Sequence, residues 1–77
     1  VIVVQVTVKL FATLRTNRFN VKGFEYSPGT TILKVARDLD IPREELALTL
    51  VNGISVEVDH EIKDGDTLSL FPPVGGG

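Results

Sequence analysis

The residues best placed to do chemistry in this sequence stand together at its end, in Phe71-Pro72-Pro73-Val74-Gly75-Gly76-Gly77. Pro72 and Pro73 lack a backbone N–H and have a fixed φ, so they stop a strand and hold the chain extended away from it. Three glycines without Cβ can then enter a channel too narrow for other residues. A terminal glycine offers a carboxylate that no side chain shields. Brought by a partner against the α-phosphate of ATP, that oxygen would give an acyl-adenylate, an activated carbonyl open to attack by a sulfur donor. A glycine triplet alone is a weak motif, equally at home in a frayed terminus. Its place behind Pro-Pro, with only Val74 between, gives it weight.

The other candidates for chemistry are thinner. Without cysteine, the chain has no disulfide framework, thiolate zinc site, iron–sulfur cluster or cysteine nucleophile. His60, the single histidine, lies between Asp59 and Glu61 with no second ligand at motif spacing, and reads as a surface residue. Asp64 and Asp66 flank Gly65, which a turn explains fully. Lys9, Lys22, Lys34 and Lys63 are scattered and solvated, and Arg15 and Arg18 read as charges of the first loop.

The elements that position the tail follow from periodicity. Val4, Val6, Val8 and Leu10 alternate with Gln5, Thr7 and Lys9, which predicts a strand with one open face. Phe19 to Tyr26 predicts a second, antiparallel strand with a bulge near Gly23. Ser27-Pro28-Gly29 is a turn, and Thr30 or Thr31 caps a helix over 31–40 that buries Ile32, Val35, Ala36 and Leu39 and ends before Pro42. Pro42-Arg43-Glu44-Glu45 starts one further helical turn. Two strands, 48–51 and 54–58, flank Asn52-Gly53, whose two residues suit the positive φ angles of a type I′ hairpin. A last strand over 67–71 points Leu68 and Leu70 inward. The order is β-β-α-β-β-β, with the helix crossing one face of a mixed sheet.

Strand phase supplies a second functional signal. With Val4, Val6, Val8 and Leu10 facing the helix, Phe11 falls on the open face; with Leu68 and Leu70 facing in, so does Phe71. If the first and last strands run side by side and parallel, both rings end their strands at one edge, beside the root of the tail. An exposed aromatic pair there reads as a docking patch.

Length and composition bound what remains. Seventy-seven residues at 43% hydrophobic content allow one domain, too small to enclose a ligand pocket of roughly 300 Å³ or more. Eight basic and ten acidic residues, interspersed, give a net charge of −2 and no basic stripe for nucleic acid. Val1-Ile2-Val3-Val4 is apolar but is interrupted from Gln5 onward, so neither a signal peptide nor a membrane span is read, and a cytoplasmic protein is expected.

Taken together, Lys9-Leu10-Phe11-Ala12-Thr13-Leu14-Arg15, Val51-Asn52-Gly53, Asp64-Gly65-Asp66 and the terminal Phe71-Pro72-Pro73-Val74-Gly75-Gly76-Gly77 resemble the small subunit of molybdopterin synthase and the related thiazole-synthesis sulfur carriers, over essentially the whole chain. Phe-Pro-Pro-Val ahead of the glycines is more similar to the molybdopterin branch. The resemblance implies an α+β, ubiquitin-like β-grasp fold: a mixed four- to five-stranded sheet with one main helix across one face, residues 1–71 as the domain and 72–77 as a flexible tail. It implies a carrier rather than an enzyme, with no bound cofactor. A ubiquitin-activator-like adenylating enzyme would use ATP to charge Gly77, seated by Gly76, and sulfur would displace the adenylate to leave a thiocarboxylate. The large subunit of molybdopterin synthase, or a related acceptor enzyme, would receive that sulfur for a molybdenum or tungsten cofactor. Phe11, Phe71, Pro72, Pro73, Val74 and Gly75 match positions at the partner contacts. Ser55 stands near a place where the family often has an apolar contact residue, which shifts that contact to Ile54. The family also leaves open thiazole synthesis and protein modification through a lysine amine. A regulatory β-grasp module shares the Ser27-Pro28-Gly29-Thr30 entry to the helix but leaves the tail without a purpose.

Overall fold

The computed structural model describes residues 2–73. Five strands form one sheet in the order β2-β1-β5-β3-β4: β1 Val4–Leu10, β2 Val21–Tyr26, β3 Leu48–Val51, β4 Ile54–Ser55 and β5 Thr67–Phe71. One helix, α1 (Ile32–Asp38), lies over one face, and two 3₁₀ turns, Ala12–Arg15 and Arg43–Glu45, sit in the connections. β1 and β5 are parallel; the other neighbours are antiparallel. This is the α+β, ubiquitin-like β-grasp architecture that the sequence led us to expect.

The core forms where the apolar phase of each element meets α1. Val4, Val6, Val8 and Leu10 of β1, Val51 of β3 and Leu68 and Leu70 of β5 are buried, against Ile32, Val35 and Ala36 of the helix and Leu14, Ile41 and Ile62 from the connections. The helix starts where expected, with Thr31 Oγ1 accepting from the Lys34 N–H at 3.3 Å. Its first turn is also satisfied from outside, because Ile32 N–H donates to His60 C=O and Leu33 N–H to Val58 C=O. It stops at Asp38, short of the expected Asp40, where Asp40 turns into the left-handed region at φ 59°.

Three other expectations are corrected. β2 starts at Val21 rather than Phe19, because Phe19 packs against the core from the loop. There is no bulge at Gly23: the β1–β2 register runs without a break from Val4↔Tyr26 to Lys9↔Val21, with Gly23 opposite Thr7. β4 spans two residues, not the expected 54–58, since Val56 is drawn back onto β3 by two bonds with Thr49, its N–H donating to Thr49 C=O at 3.0 Å and Thr49 Oγ1 donating to Val56 C=O at 2.6 Å. The first loop contains a 3₁₀ turn that buries Leu14 completely. The Asn52-Gly53 hairpin has the expected paired positive angles, φ 53° and 84°.

Candidate functional site

The site is built where β1 and β5 end together. Their parallel register pairs Leu10 with Leu70, so the next residues, Phe11 and Phe71, both come out on the face away from the helix. Their rings stack with centroids 4.2 Å apart and planes 9° from parallel. Both are half-buried, each shielding the other.

Three local devices hold this pair. Phe11 N–H donates to Leu70 C=O at 3.2 Å, fastening the end of β1 to β5. Ala12 then takes a left-handed conformation, φ 53°, which costs a non-glycine residue about 1–2 kcal/mol. The turn it makes drops Leu14 into the core and brings Arg15 back over the strand end. There the Arg15 guanidinium sits 5.5 Å from the Phe11 ring centroid, and its Nε donates to Leu10 C=O at 2.8 Å. The stack is thus capped on its outer side by a cation.

The root of the tail is fixed to the same edge. Ala47 N–H donates to Phe71 C=O at 2.9 Å, the last bond of the ladder, and Pro72 has no N–H with which to continue it. Pro72 is half-buried and Pro73 exposed. Val74, Gly75, Gly76 and Gly77, which carry the expected chemistry, lie outside the described residues.

Ile54 does not join the aromatic pair. It is exposed, but it pairs with Val51, whose side chain faces the core with Leu68, so Ile54 springs from the helix side of the sheet. Ser55 is the β4 residue on the open face. The apolar neighbours of Phe71 there are Leu48, directly opposite it in the β3–β5 register, and Leu50, opposite Ser69. Sequence reading passed over both. In Leu48-Thr49-Leu50-Val51 the leucines look like the core phase, yet Thr49 and Val51 face inward and are buried, while Leu48 is 41% exposed. The signal available was Phe71: a partner opposite an outward residue must itself point outward.

The remaining polar candidates serve the fold. Asp64 accepts from the Gln5 N–H at 2.8 Å, and Asp66 accepts from the Lys63 N–H at 2.8 Å and from Asn52 Nδ2 at 3.0 Å. Arg18 braces the first loop against the end of α1: Nε donates to Leu39 C=O, Nη2 to Asp40 C=O and Nη1 to Leu14 C=O, at 3.0, 2.9 and 3.2 Å. Among the described residues no group of three or more His, Cys, Asp or Glu side chains could hold a metal, and no helix is long and apolar enough to cross a membrane. The Tyr26 phenol is pushed up by burial and, secondarily, by the Asp38 carboxylate.

Comparison with known proteins places this geometry. A putative molybdopterin converting factor, subunit 1, from Pyrococcus furiosus superposes with a TM-score of 0.73 at 29% identity, covering 92% of this chain and 99% of that one. Small archaeal modifier protein 1 of Haloferax volcanii gives 0.73 at 22% identity, over 92% and 99%. Subunit 1 in a complex of subunits 1 and 2 of the Helicobacter pylori molybdopterin-converting factor gives 0.57 at 22% identity, over 95% and 99%. The last two likenesses establish the fold alone. A search of curated protein sequences finds no match. The ThiS family model matches residues 8–77, nearly the whole chain, and the chain belongs to that family of small ubiquitin-like sulfur carriers.

Proposed function

We propose that the chain carries sulfur on the Gly77 carboxylate and delivers it for molybdopterin synthesis. The carboxylate attacks the α-phosphate of ATP in a partner's active site, forming the acyl-adenylate and releasing pyrophosphate. Sulfide then adds to the activated carbonyl and expels AMP, leaving a thiocarboxylate. The first step turns a carboxylate oxygen into a leaving group and the second replaces it with sulfur, and neither needs a catalytic side chain from the chain. The work of the domain is to present its end.

The observation that carries this reading is the stacked Phe11–Phe71 pair at the root of the Pro72-Pro73 segment. With Leu48 and Leu50 beside it, the pair forms an apolar surface beside the exit of the tail. A partner that buries this surface acquires a fixed origin for the tail, and two prolines set its initial direction. Docking and threading thereby become one event. Phe11, Phe71, Pro72, Pro73, Leu48 and Leu50 would form the contact, Val74 and Gly75 the threaded segment, and Gly76 and Gly77 the reacting end. The molybdopterin assignment is supported by Phe71-Pro72-Pro73-Val74 and by the 29% identity to the Pyrococcus furiosus protein. The Helicobacter pylori complex supports the large synthase subunit as the acceptor.

A second reading, conjugation of Gly77 to protein lysines, is favoured by the likeness to small archaeal modifier protein 1. It uses the same adenylate and differs in the nucleophile.

The test is intact mass after incubation with ATP, a sulfide donor and a ubiquitin-activator-like enzyme from the same source. Exchange of one oxygen for sulfur, about 16 Da on the accessible C-terminal peptide, supports the carrier. Transfer of that sulfur to a pterin precursor by the large synthase subunit supports the acceptor. No mass gain with an enzyme shown to be active refutes the proposal, and Gly77-linked lysine conjugates would establish the second reading.

A further inference from the structure

We infer that β2 is a self-association edge, through which two copies of the chain pair antiparallel about Gly23 and join their sheets. The inference does not rest on the carrier reading. It starts from the backbone. β2 is an outer strand of the sheet, and the bond from Leu10 N–H to Asn20 C=O, 2.9 Å, sets the phase of its ladder with β1. Antiparallel partners alternate between pairs that exchange both hydrogen bonds and pairs that exchange none. Lys22, Phe24 and Tyr26 therefore turn their N–H and C=O groups to β1. Val21, Gly23 and Glu25 turn theirs outward, where no described residue meets them.

The opposite edge of the sheet is treated differently. β4 has two residues, its continuation is pulled onto Thr49, and the carbonyls of Val58 and His60 beyond it are taken by the first amides of α1. β2 has six residues in unbroken register, with no proline and no bulge. It lacks several of the usual guards against pairing with another strand.

Gly23 is the second observation. It is not among the residues with positive φ, and a Cβ built on it would meet nothing nearer than Val6 O at 4.0 Å. The fold of one copy thus has no use for a glycine that weakens the strand; glycine inside a strand often marks the close approach of another backbone. Gly23 lies in the floor of an open groove of about 810 Å³, lined also by Gln5, Thr7 and Glu25.

A second copy fits this edge by symmetry. A two-fold axis at Gly23 sets Gly23 opposite Gly23 and Val21 opposite Glu25 in both directions, which engages every outward group of both strands. On the helix side it sets Lys22 opposite Phe24 of the second copy. The Lys22 ammonium already lies 5.5 Å from its own Phe24 ring centroid, so the cation gains an aromatic neighbour on its other side. A pairing through one strand buries little surface, and the dimer is weak and concentration-dependent. The Phe11–Phe71 stack and the root of the tail lie at the ends of β1 and β5 and stay uncovered.

Amide hydrogen exchange across a dilution series, from about 20 μM to about 1 mM, reads the inference residue by residue. The Val21, Gly23 and Glu25 amides should gain protection with concentration, while Lys22 and Phe24, already bonded to β1, stay constant, and the sedimentation mass should rise toward twice the monomer. Val21→Glu places like charges opposite each other twice across the axis and should weaken association roughly tenfold or more. It also puts an opposite charge beside Lys9, its partner in β1, so the fold is kept. The exchanged pair Val21→Glu with Glu25→Lys should restore association. A chain that stays monomeric throughout the series, concentration dependence at other amides, or failure of the exchanged pair to restore association would overturn the inference.

Discussion

Removing one ring of the Phe11–Phe71 stack tests whether the docking edge is held by the pair itself. The two rings meet at 4.2 Å across parallel strands, outside the core, and both are half-buried. A core Phe→Ala change costs about 3–5 kcal/mol, and a half-buried ring about half of that. Phe71→Ala should therefore cost about 1.5–2.5 kcal/mol, of which the stack accounts for about 0.5–1.5. A chain of this length has a total stability of about 4–12 kcal/mol, so the variant remains folded. Urea unfolding followed by far-ultraviolet circular dichroism suits a protein without tryptophan. Across Phe11→Ala, Phe71→Ala and the double variant, the coupling energy should be about 1 kcal/mol. Adenylation of Gly77 by the activating enzyme should fall at least tenfold in kcat/KM for either single variant, a loss that residual unfolding cannot produce. A coupling below about 0.3 kcal/mol would mean that the rings merely lie side by side, and the claim that they hold the edge would be wrong. Unchanged kcat/KM in both variants would remove the docking role.

Arg18→Ala should cost about 1–2 kcal/mol, because three carbonyls at the end of α1 and the first loop lose a charged donor, lowering the melting temperature by several degrees; an unchanged melting temperature would show that water replaces the guanidinium fully. Tyr26 should make the fold less stable at high pH. Its native phenol titrates above the ordinary 10.0, so between that value and the native one the unfolded chain binds fewer protons than the native one, and stability falls as pH rises through that window. As the only tyrosine, it can be followed by phenolate absorbance, and Tyr26→Phe should abolish the fall.

Much of the molecule is legible in the sequence because short-range chemistry dictates it. The alternation in Val4–Leu10 and Thr67–Phe71, the Thr31 cap and the Asn52-Gly53 turn each appear where those residues require. The side of the sheet on which Phe11 and Phe71 emerge follows from period-two phase alone. Membership of the ThiS family is likewise carried by residues spread over the chain.

Only the tertiary structure decided what depends on neighbours distant in sequence. Leu48 and Leu50 face outward because β5 pairs Leu70 with Thr49 and Leu68 with Val51, a register that β3 by itself does not encode. Ile54 leaves the aromatic edge for the same reason. The absence of a bulge at Gly23 is set by β1, which keeps register with β2 throughout. Arg15 and Arg18 look alike as loop charges, yet packing of Leu14 sends one over Phe11 and the other to the end of α1. Local sequence sets which way a side chain alternates; which strand stands beside it, and so what that face becomes, is set by the pairing of segments that meet only when the whole sheet closes over its core.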